Sequence, residues 1–180
     1  LFYRFNTRSI GELSEVIAQK VEGICERYDL ESFHVIGHSK GGLVARHWVQ
    51  HHGGDRRARS LATLGTPHHG TPTALLGWVL LGGGLLSRSP SQMLPGSRLV
   101  RRLARDTFPA HIPLTSIYSR GDLVCPYWAS ILRPRQGETS LQNHEMAHSV
   151  GHTELVHDPG VYRVVQAHLA GASELWRQRR

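Results

Sequence analysis

The sequence predicts an α/β fold in which a mostly parallel sheet carries helices on its faces. Short apolar strands alternate with amphipathic helices along most of the 180 residues, a pattern typical of βαβ units with parallel strands. One apolar strand runs into the segment Gly37-His38-Ser39-Lys40-Gly41 and continues directly as a helical pattern. Polar loops follow the later strands, and folds of this class bind ligands at the carboxyl ends of their strands.

The first elements predict one βαβ unit. Residues 1–5 have a strand-like composition, and Ser9 and Glu12 then match the capping box that opens a helix. Apolar residues at helical spacing continue to about Tyr28. Because the chain starts inside a strand pattern, we expect residues 1–180 to form a single domain that lacks N-terminal strands of a longer protein.

The five residues from Gly37 to Gly41 fit the G-x-S-x-G pattern of a nucleophile elbow. In that turn the serine, here Ser39, projects from the junction of a strand and a helix, and Val35 and Leu43 lie in suitable apolar runs on either side. We expect both glycines to be required, because a Cβ at either position would clash where the two backbones approach. The alternative interpretation is a serine in an ordinary glycine-rich turn, so the prediction rests on the flanking strand and helix.

The middle of the chain departs from this alternation. A strand at residues 60–64 leads into a loop over 65–71, which we expect to lie beside the elbow. An insertion over about 72–112 follows, with an apolar, glycine-interrupted run at 74–86 and an arginine-rich helix near 98–105. The insertion is interpreted either as a lid over an apolar pocket or as helices that simply cover the sheet.

Two later strands complete the sheet and carry the remaining chemistry. Strands are predicted at 114–118 and near 144–147, and the loops after them contain Asp122 and His152. A neutral serine hydroxyl is a poor nucleophile, and it needs a base within hydrogen-bond reach and a third group that orients the base. Ser39, Asp122 and His152 each follow a predicted strand, which predicts a catalytic triad. A last helix is expected to begin at Asp158-Pro159, with aspartate as the N-cap.

Composition argues against several classes of partner. The net charge is +7, but the arginine-rich stretches at 56–59, 98–105 and 177–180 lack the interleaved aromatic residues that stack on bases, so we predict no nucleic-acid partner. The 74–86 run is too short to cross a bilayer, although it is a candidate surface for contact with a lipid interface. The two cysteines neither demand nor exclude a disulfide, which leaves both a cytoplasmic and a secreted location open.

Five segments carry a resemblance to a known superfamily: residues 35–46, with the sequence GHSKGG, residues 64–71, with LGTPHHGT, and residues 93–97, 119–122 and 150–152. In these segments and in their order, the chain resembles bacterial lipases and esterases of the α/β-hydrolase superfamily. The resemblance implies an α/β-hydrolase fold, with Ser39 as nucleophile, Asp122 as acid and His152 as base. It also implies hydrolysis of acyl or lipid esters through an acyl-enzyme, without a cofactor or a metal.

The same resemblance implies an oxyanion hole and contacts with substrate. The backbone amide of Lys40 is implied as one oxyanion donor, and the second donor is implied to lie upstream of this chain, so we expect the isolated 180 residues to be poorly active. Lys40 also stands where relatives commonly carry an apolar residue. We expect His38, His68 and His69 to contact the substrate.

Several functions share this machinery, and the sequence does not separate a triacylglycerol lipase from a carboxylesterase, an acyltransferase or a non-catalytic lipid-binding domain. A zinc metalloprotease is the alternative from another class. His144, Glu145 and His148 form a complete H-E-x-x-H, in which two histidines bind zinc and the glutamate activates water, and Glu154 is a candidate third ligand. We favour a strand at this position, because the zinc motif needs a long helix and residues 149–151 do not prolong one.

Overall fold

The computed structural model describes residues 8–75 and 89–178. The predicted strand at residues 1–5 and most of the apolar run at 74–86 lie outside them. The helices are α1 (Ile10–Tyr28), α2 (Lys40–His51), α3 (Ser89–Gln92), α4 (Arg98–Arg105), α5 (Tyr127–Ser130) and α6 (Pro159–Gln178), and the strands are β1 (Phe33–His38), β2 (Ala58–Leu64), β3 (Leu114–Tyr118) and β4 (Leu141–Glu145). Short 3-10 helices cover Gly54–Arg56 and Glu154–Val156.

The four strands form one sheet in the order β1-β2-β3-β4, and every neighbouring pair is parallel. The predicted α/β architecture with a parallel sheet is therefore confirmed. The last strand, β4, begins a few residues before the predicted 144–147. The prediction is displaced because four of the five residues of β4 are exposed, so the strand shows no apolar alternation. Since all strands run the same way, the loops after β1, β2, β3 and β4 meet at one edge.

Helices cover both faces of this sheet. Side chains alternate between the two faces along a strand, so Leu61 and Leu64 of β2 point in opposite directions. Leu61 belongs to the apolar cluster that includes Val21 of α1 and Trp48 of α2, whereas Leu64 packs with Val161 of α6. The molecule thus has three layers, with α1 and α2 on one face and α6 on the other.

Local signals set the ends of the long helices. Ser9 Oγ accepts from the amide of Glu12 at 3.2 Å, and the Glu12 carboxylate accepts from the amide of Ser9 at 2.7 Å, which confirms the predicted capping box. Asp158 Oδ1 accepts from the amide of Val161 at 2.9 Å in the first turn of α6. In the part of the chain with described structure, no helix has the length and apolar character needed to span a membrane.

Candidate active site

Ser39 occupies a strained turn between β1 and α2. Its backbone angles are φ 53° and ψ −127°, and among the described non-glycine residues only Asp29 shares a positive φ. The amide of Ser39 donates to the carbonyl of Leu64 at 2.9 Å, and Thr66 Oγ1 donates to the carbonyl of Ser39 at 3.0 Å. A sharp turn of this kind, held from the neighbouring strand, is what a nucleophile elbow requires.

The two glycines that the elbow needs are not the predicted pair. A Cβ on Gly37 would lie 2.6 Å from Gly42 Cα, so the requirement for Gly37 is confirmed. Gly41 has no neighbour within 4 Å of its Cβ position, and the prediction for it is wrong. The close contact belongs to Gly42, whose Cβ would lie 2.8 Å from Thr66 Cγ2 and closer still to Thr66 Oγ1. Neighbouring residues on a helix point about 100° apart, so Gly41 faces solvent whereas Gly42 faces the loop after β2.

Asp122 and His152 form a close pair at the same edge of the sheet. Asp122 Oδ2 lies 2.7 Å from His152 Nδ1, and Asp122 is only 2% exposed. The other carboxylate oxygen accepts from the amides of Val124 at 3.0 Å and Cys125 at 2.7 Å. A carboxylate that accepts at Nδ1 keeps the proton on that nitrogen, so Nε2 of a neutral His152 carries the lone pair that a general base uses.

The loops that carry this pair are bonded to each other. Ser119 Oγ accepts from the amide of Gly121 at 3.1 Å in the loop after β3, and from the amide of Val150 at 2.8 Å in the loop after β4. Glu154 accepts from the amide of Gly151 at 2.7 Å, next to the imidazole. Ser119 is fully buried, so the acid and the base are positioned by one connected network.

Gly65, the first residue after β2, lies directly against the pair. It has φ 51°, and a Cβ there would lie 2.7 Å from Asp122 Oδ2 and 3.2 Å from His152 Nδ1. Sequence reasoning did not assign a role to Gly65. The available signal was a glycine at the end of the strand that neighbours the elbow strand.

Comparison with known sequences identifies the family. A sequence model described as palmitoyl protein thioesterase matches residues 6–104, more than half of the chain. The chain belongs to the palmitoyl protein thioesterase family. No curated protein sequence matches it.

Solved structures place this thioesterase-family chain in the α/β-hydrolase fold. The mature lipase BlEst2 of Bacillus licheniformis aligns with a TM-score of 0.69 and 14% identity over 91% of this chain and 75% of that one. The monoacylglycerol lipase of Paleococcus ferrophilus gives 0.61 and 16% over 96% and 77%. MGS-MChE2, an α/β hydrolase from the metagenome of Mar Chica lagoon sediments, gives 0.57 and 14% over 89% and 68%. Against the propeptide form of BlEst2, the chain covers 26% of that protein.

The three histidines expected to contact substrate lie in different surroundings. His38 Nε2 donates to the carbonyl of His152 at 2.9 Å, and the centres of the two rings are 4.7 Å apart; burial lowers the pKa of His38. His68 is fully buried, with Nε2 3.0 Å from Thr63 Oγ1 and Nδ1 3.4 Å from Arg46 Nη1. Both ring nitrogens of His68 are thus engaged inside the protein, and its contact with substrate stays a prediction.

His69 also lies away from the triad residues. Its Nε2 donates to the carbonyl of Ile131 at 2.8 Å, and its side chain lines a cavity that Ser39, Asp122 and His152 do not line. The pattern of two adjacent histidines after β2 gave no way to tell which ring would point where.

Lys40 combines a helix-start amide with a partly buried ammonium group. It is the first residue of α2, and the amides of a first helical turn point out of the N-terminal end of the helix. Its Nζ donates to Ser89 Oγ at 3.3 Å, and Ser89 in turn donates to the carbonyl of Arg8. Burial lowers the pKa of the Lys40 amine to about 8. The Lys40 ammonium group thus contacts α3, which lies within the predicted insertion.

The H-E-x-x-H segment does not form a zinc site. His144 and Glu145 lie on β4, where adjacent side chains point to opposite faces, and His148 lies beyond the strand. Glu145 pairs with Arg120 at 2.6 Å and His148 with Asp158 at 2.9 Å. Within residues 8–75 and 89–178, no group of three His, Cys, Asp or Glu side chains is arranged to hold a metal ion. The metalloprotease alternative fails because the segment starts in a strand and continues as a loop, whereas the zinc motif needs a helix.

Proposed function

We propose that the chain carries the catalytic machinery of a serine hydrolase that cleaves carboxylic esters through an acyl-enzyme. The observation that carries the proposal is the 2.7 Å contact between Asp122 and His152, at the edge where Ser39 forms a strained elbow. In this proposal Ser39 is the nucleophile, His152 the general base and acid, and Asp122 the group that orients the imidazole. Membership of a hydrolase family of the lipase, esterase and thioesterase type supports it.

The proposed reaction has two steps, acylation and deacylation, and His152 transfers protons in both. His152 Nε2 takes the proton of the Ser39 hydroxyl while Oγ attacks the acyl carbonyl, and the resulting imidazolium is stabilised by Asp122. The oxyanion forms at the N-terminal end of α2, where the amide of Lys40 is the proposed donor. His152 then protonates the departing alcohol. A water molecule, deprotonated by His152, releases the acid and restores Ser39.

The acyl donor is the second part of the proposal. A thiolate leaves a tetrahedral intermediate more readily than an alkoxide, so a site that hydrolyses esters in this way also suits acyl thioesters. The family description names palmitoyl protein thioesterase, which supports long-chain acyl thioesters as a second substrate class. Triacylglycerol lipase and carboxylesterase differ here only in the acyl chain and alcohol that the full-length protein accepts.

The test is hydrolysis of p-nitrophenyl esters of short and long acyl chains, and of palmitoyl-coenzyme A, by the full-length protein. We expect Ser39→Ala to lower kcat at least about 10³-fold and Asp122→Asn to lower it about 10⁴-fold, since an asparagine favours the wrong imidazole tautomer. Ser140→Ala, in the loop before β4, is the matched control and should retain activity. A metal chelator should have no effect.

The outcomes separate the alternatives. Full activity in Ser39→Ala would refute the proposed nucleophile. Transfer of the acyl group to an added alcohol in preference to water would indicate an acyltransferase, and binding of ester without turnover would indicate a lipid-binding domain.

A further inference from the structure

His38 joins the nucleophile elbow to the loop that carries the proposed base. It is the last residue of β1 and directly precedes Ser39. Its Nε2 donates to the carbonyl oxygen of His152 at 2.9 Å, although the two residues are 114 positions apart in the sequence. The backbone of the proposed base is therefore bonded to the immediate neighbour of the proposed nucleophile.

The backbone of His152 depends on this bond. In the described part of the chain, no other donor bonds to the His152 carbonyl. The preceding amide, that of Gly151, donates to Glu154 at 2.7 Å, and Asp122 holds the imidazole at Nδ1. Without the His38 donor, the hydrogen bond with Asp122 would be the one described bond that still holds His152 itself.

The two imidazole rings also pack against each other. Their centres are 4.7 Å apart and their planes are inclined by 43°, and only 10% of the His152 side chain is exposed. A catalytic side chain keeps its productive geometry when packing and supporting hydrogen bonds fix its conformation. His38 contributes both kinds of restraint to His152, one on the backbone and one on the ring.

His38 donates this bond without placing a charge beside the base. Burial lowers the pKa of His38 below its ordinary value, so its ring is uncharged at neutral pH. A neutral imidazole has one N–H donor, and the contact with the carbonyl assigns that proton to Nε2. In the proposed reaction His152 becomes positively charged, and a second cation at position 38 would oppose that step.

We propose that His38 is a positioning residue, whose Nε2–H and ring hold His152 beside Ser39 without taking part in proton transfer. The inference rests on the proposed hydrolysis and adds a residue beyond the three of the triad. The sequence predicts a different role for His38, contact with the substrate. Positioning of the base acts on kcat, whereas a contact made equally with substrate and transition state acts on KM, so the two roles are distinguishable.

The test is hydrolysis of p-nitrophenyl esters by the full-length protein and two variants of His38. His38→Leu keeps most of the side-chain bulk and removes the donor. We expect its kcat to fall about 10²-fold with KM unchanged, since a shift of about 1 Å in catalytic geometry costs about that much. His38→Gln places an N–H at the same number of bonds from Cα as Nε2 of histidine, and should restore kcat to within about tenfold of the parent.

His111→Leu is the matched control. His111 is exposed, and its Nε2 also donates to a backbone carbonyl, that of Asp55, at 3.1 Å. It precedes β3, at the edge of the sheet away from the triad, so this variant should retain kcat.

Labelling of Ser39 by a fluorophosphonate separates this inference from the proposed function, because labelling needs the nucleophile and the base but no turnover of an ester. We expect labelling to slow about 10²-fold in His38→Leu and to recover in His38→Gln. Labelling of the parent without ester hydrolysis would refute the proposed function, and the labelling rates of the variants would still decide the role of His38.

Three results would overturn the positioning role. One is an equal kcat and an equal labelling rate in the parent and His38→Leu. Another is a rise in KM with unchanged kcat, which would show that His38 contacts the substrate instead. The third is a His38→Gln variant that has the thermal midpoint of the parent and the low kcat of His38→Leu, because the restored donor would then have no effect.

Discussion

Residues at the end of the neighbouring strand β2 hold Ser39 in its strained conformation. Hydrogen bonds with Leu64 and Thr66 hold both its amide and its carbonyl. Strained backbone persists only where the surroundings over-determine it. Gly65 lies between these two residues and touches the acid and base, so one short segment after β2 supports the whole proposed triad.

Gly65→Ala should therefore reduce catalysis more than stability. The new methyl group would push Asp122 and His152 out of register, and a shift of about 1 Å in catalytic geometry costs about 10²-fold in rate. The positive φ adds about 1–2 kcal/mol of backbone strain. We expect kcat for p-nitrophenyl ester hydrolysis to fall about 10²-fold or more.

Gly96→Ala is the matched control for this prediction. Gly96 also has a positive φ, 72°, but no neighbour within 4 Å of its Cβ position. It should lose only the stability that the strained φ costs, about 1–2 kcal/mol as measured by urea denaturation, and keep its kcat. An equal fall of kcat in the two variants would show that strain alone, and not contact with Asp122, explains the effect.

At this scale the sequence predicts residue types better than contacts. Ser39, Asp122 and His152 follow three different strands, and a parallel sheet brings such positions to one edge whatever the details of packing. The burial of His68 and of Arg46 was not predictable, because it depends on how α2 packs against the loop after β2. That packing is long-range and leaves no local pattern.

In α2, the helix that follows the elbow, two adjacent glycines lie in different environments. Gly41 is exposed, whereas Gly42 is buried against Thr66. Gly41→Ala should raise the free energy of unfolding by about 0.5–1 kcal/mol, because alanine has the higher helix propensity. Gly42→Ala should lower it by about 1–3 kcal/mol through overpacking, and should disturb the Thr66 hydrogen bond to Ser39.

Urea denaturation of the two variants, with ester hydrolysis in parallel, checks this pair. The substitutions are identical and adjacent, so each serves as the control for the other. Equal stability of the two would contradict the contact assigned to Gly42.

The positions of helices and strands with a buried face were predictable from the sequence, whereas the position of the exposed strand β4 was less so. α1 and α2 show helical apolar spacing because each packs on the sheet, and the capping box fixes the start of α1. The predicted position of β4 was off by a few residues. Its side chains are largely exposed, and apolar periodicity in a sequence arises only where one face is buried. The H-E-x-x-H pattern, which begins on this strand and ends in the loop after it, shows that a short motif alone does not determine the secondary structure of the segment that carries it.

Across the whole molecule, two imidazoles on opposite faces of the sheet link stability to pH: the buried ring of His47 and the partly buried ring of His168. His47 of α2 is 5% exposed, and its ring lies 4.8 Å from that of His51 and 4.9 Å from that of His52. His168 of α6 bonds to Thr115 Oγ1 at 2.9 Å. Among the described atoms, His47 Nδ1 and His168 Nε2 are buried without a hydrogen-bond partner.

Desolvation lowers the pKa of both His47 and His168 to about 4, whereas an unfolded histidine titrates near pH 6.5. Between these values the unfolded chain binds more protons than the folded one, so stability falls as pH drops from about 6.5 towards 4. The net charge of +7 adds to this effect, because each further proton increases self-repulsion. We expect the thermal midpoint of the protein to fall over this window, and to fall less far in the double variant His47→Gln, His168→Gln. A variant with exposed His157 replaced by glutamine should follow the parent, and an equal fall in all three proteins would refute the assignment to His47 and His168.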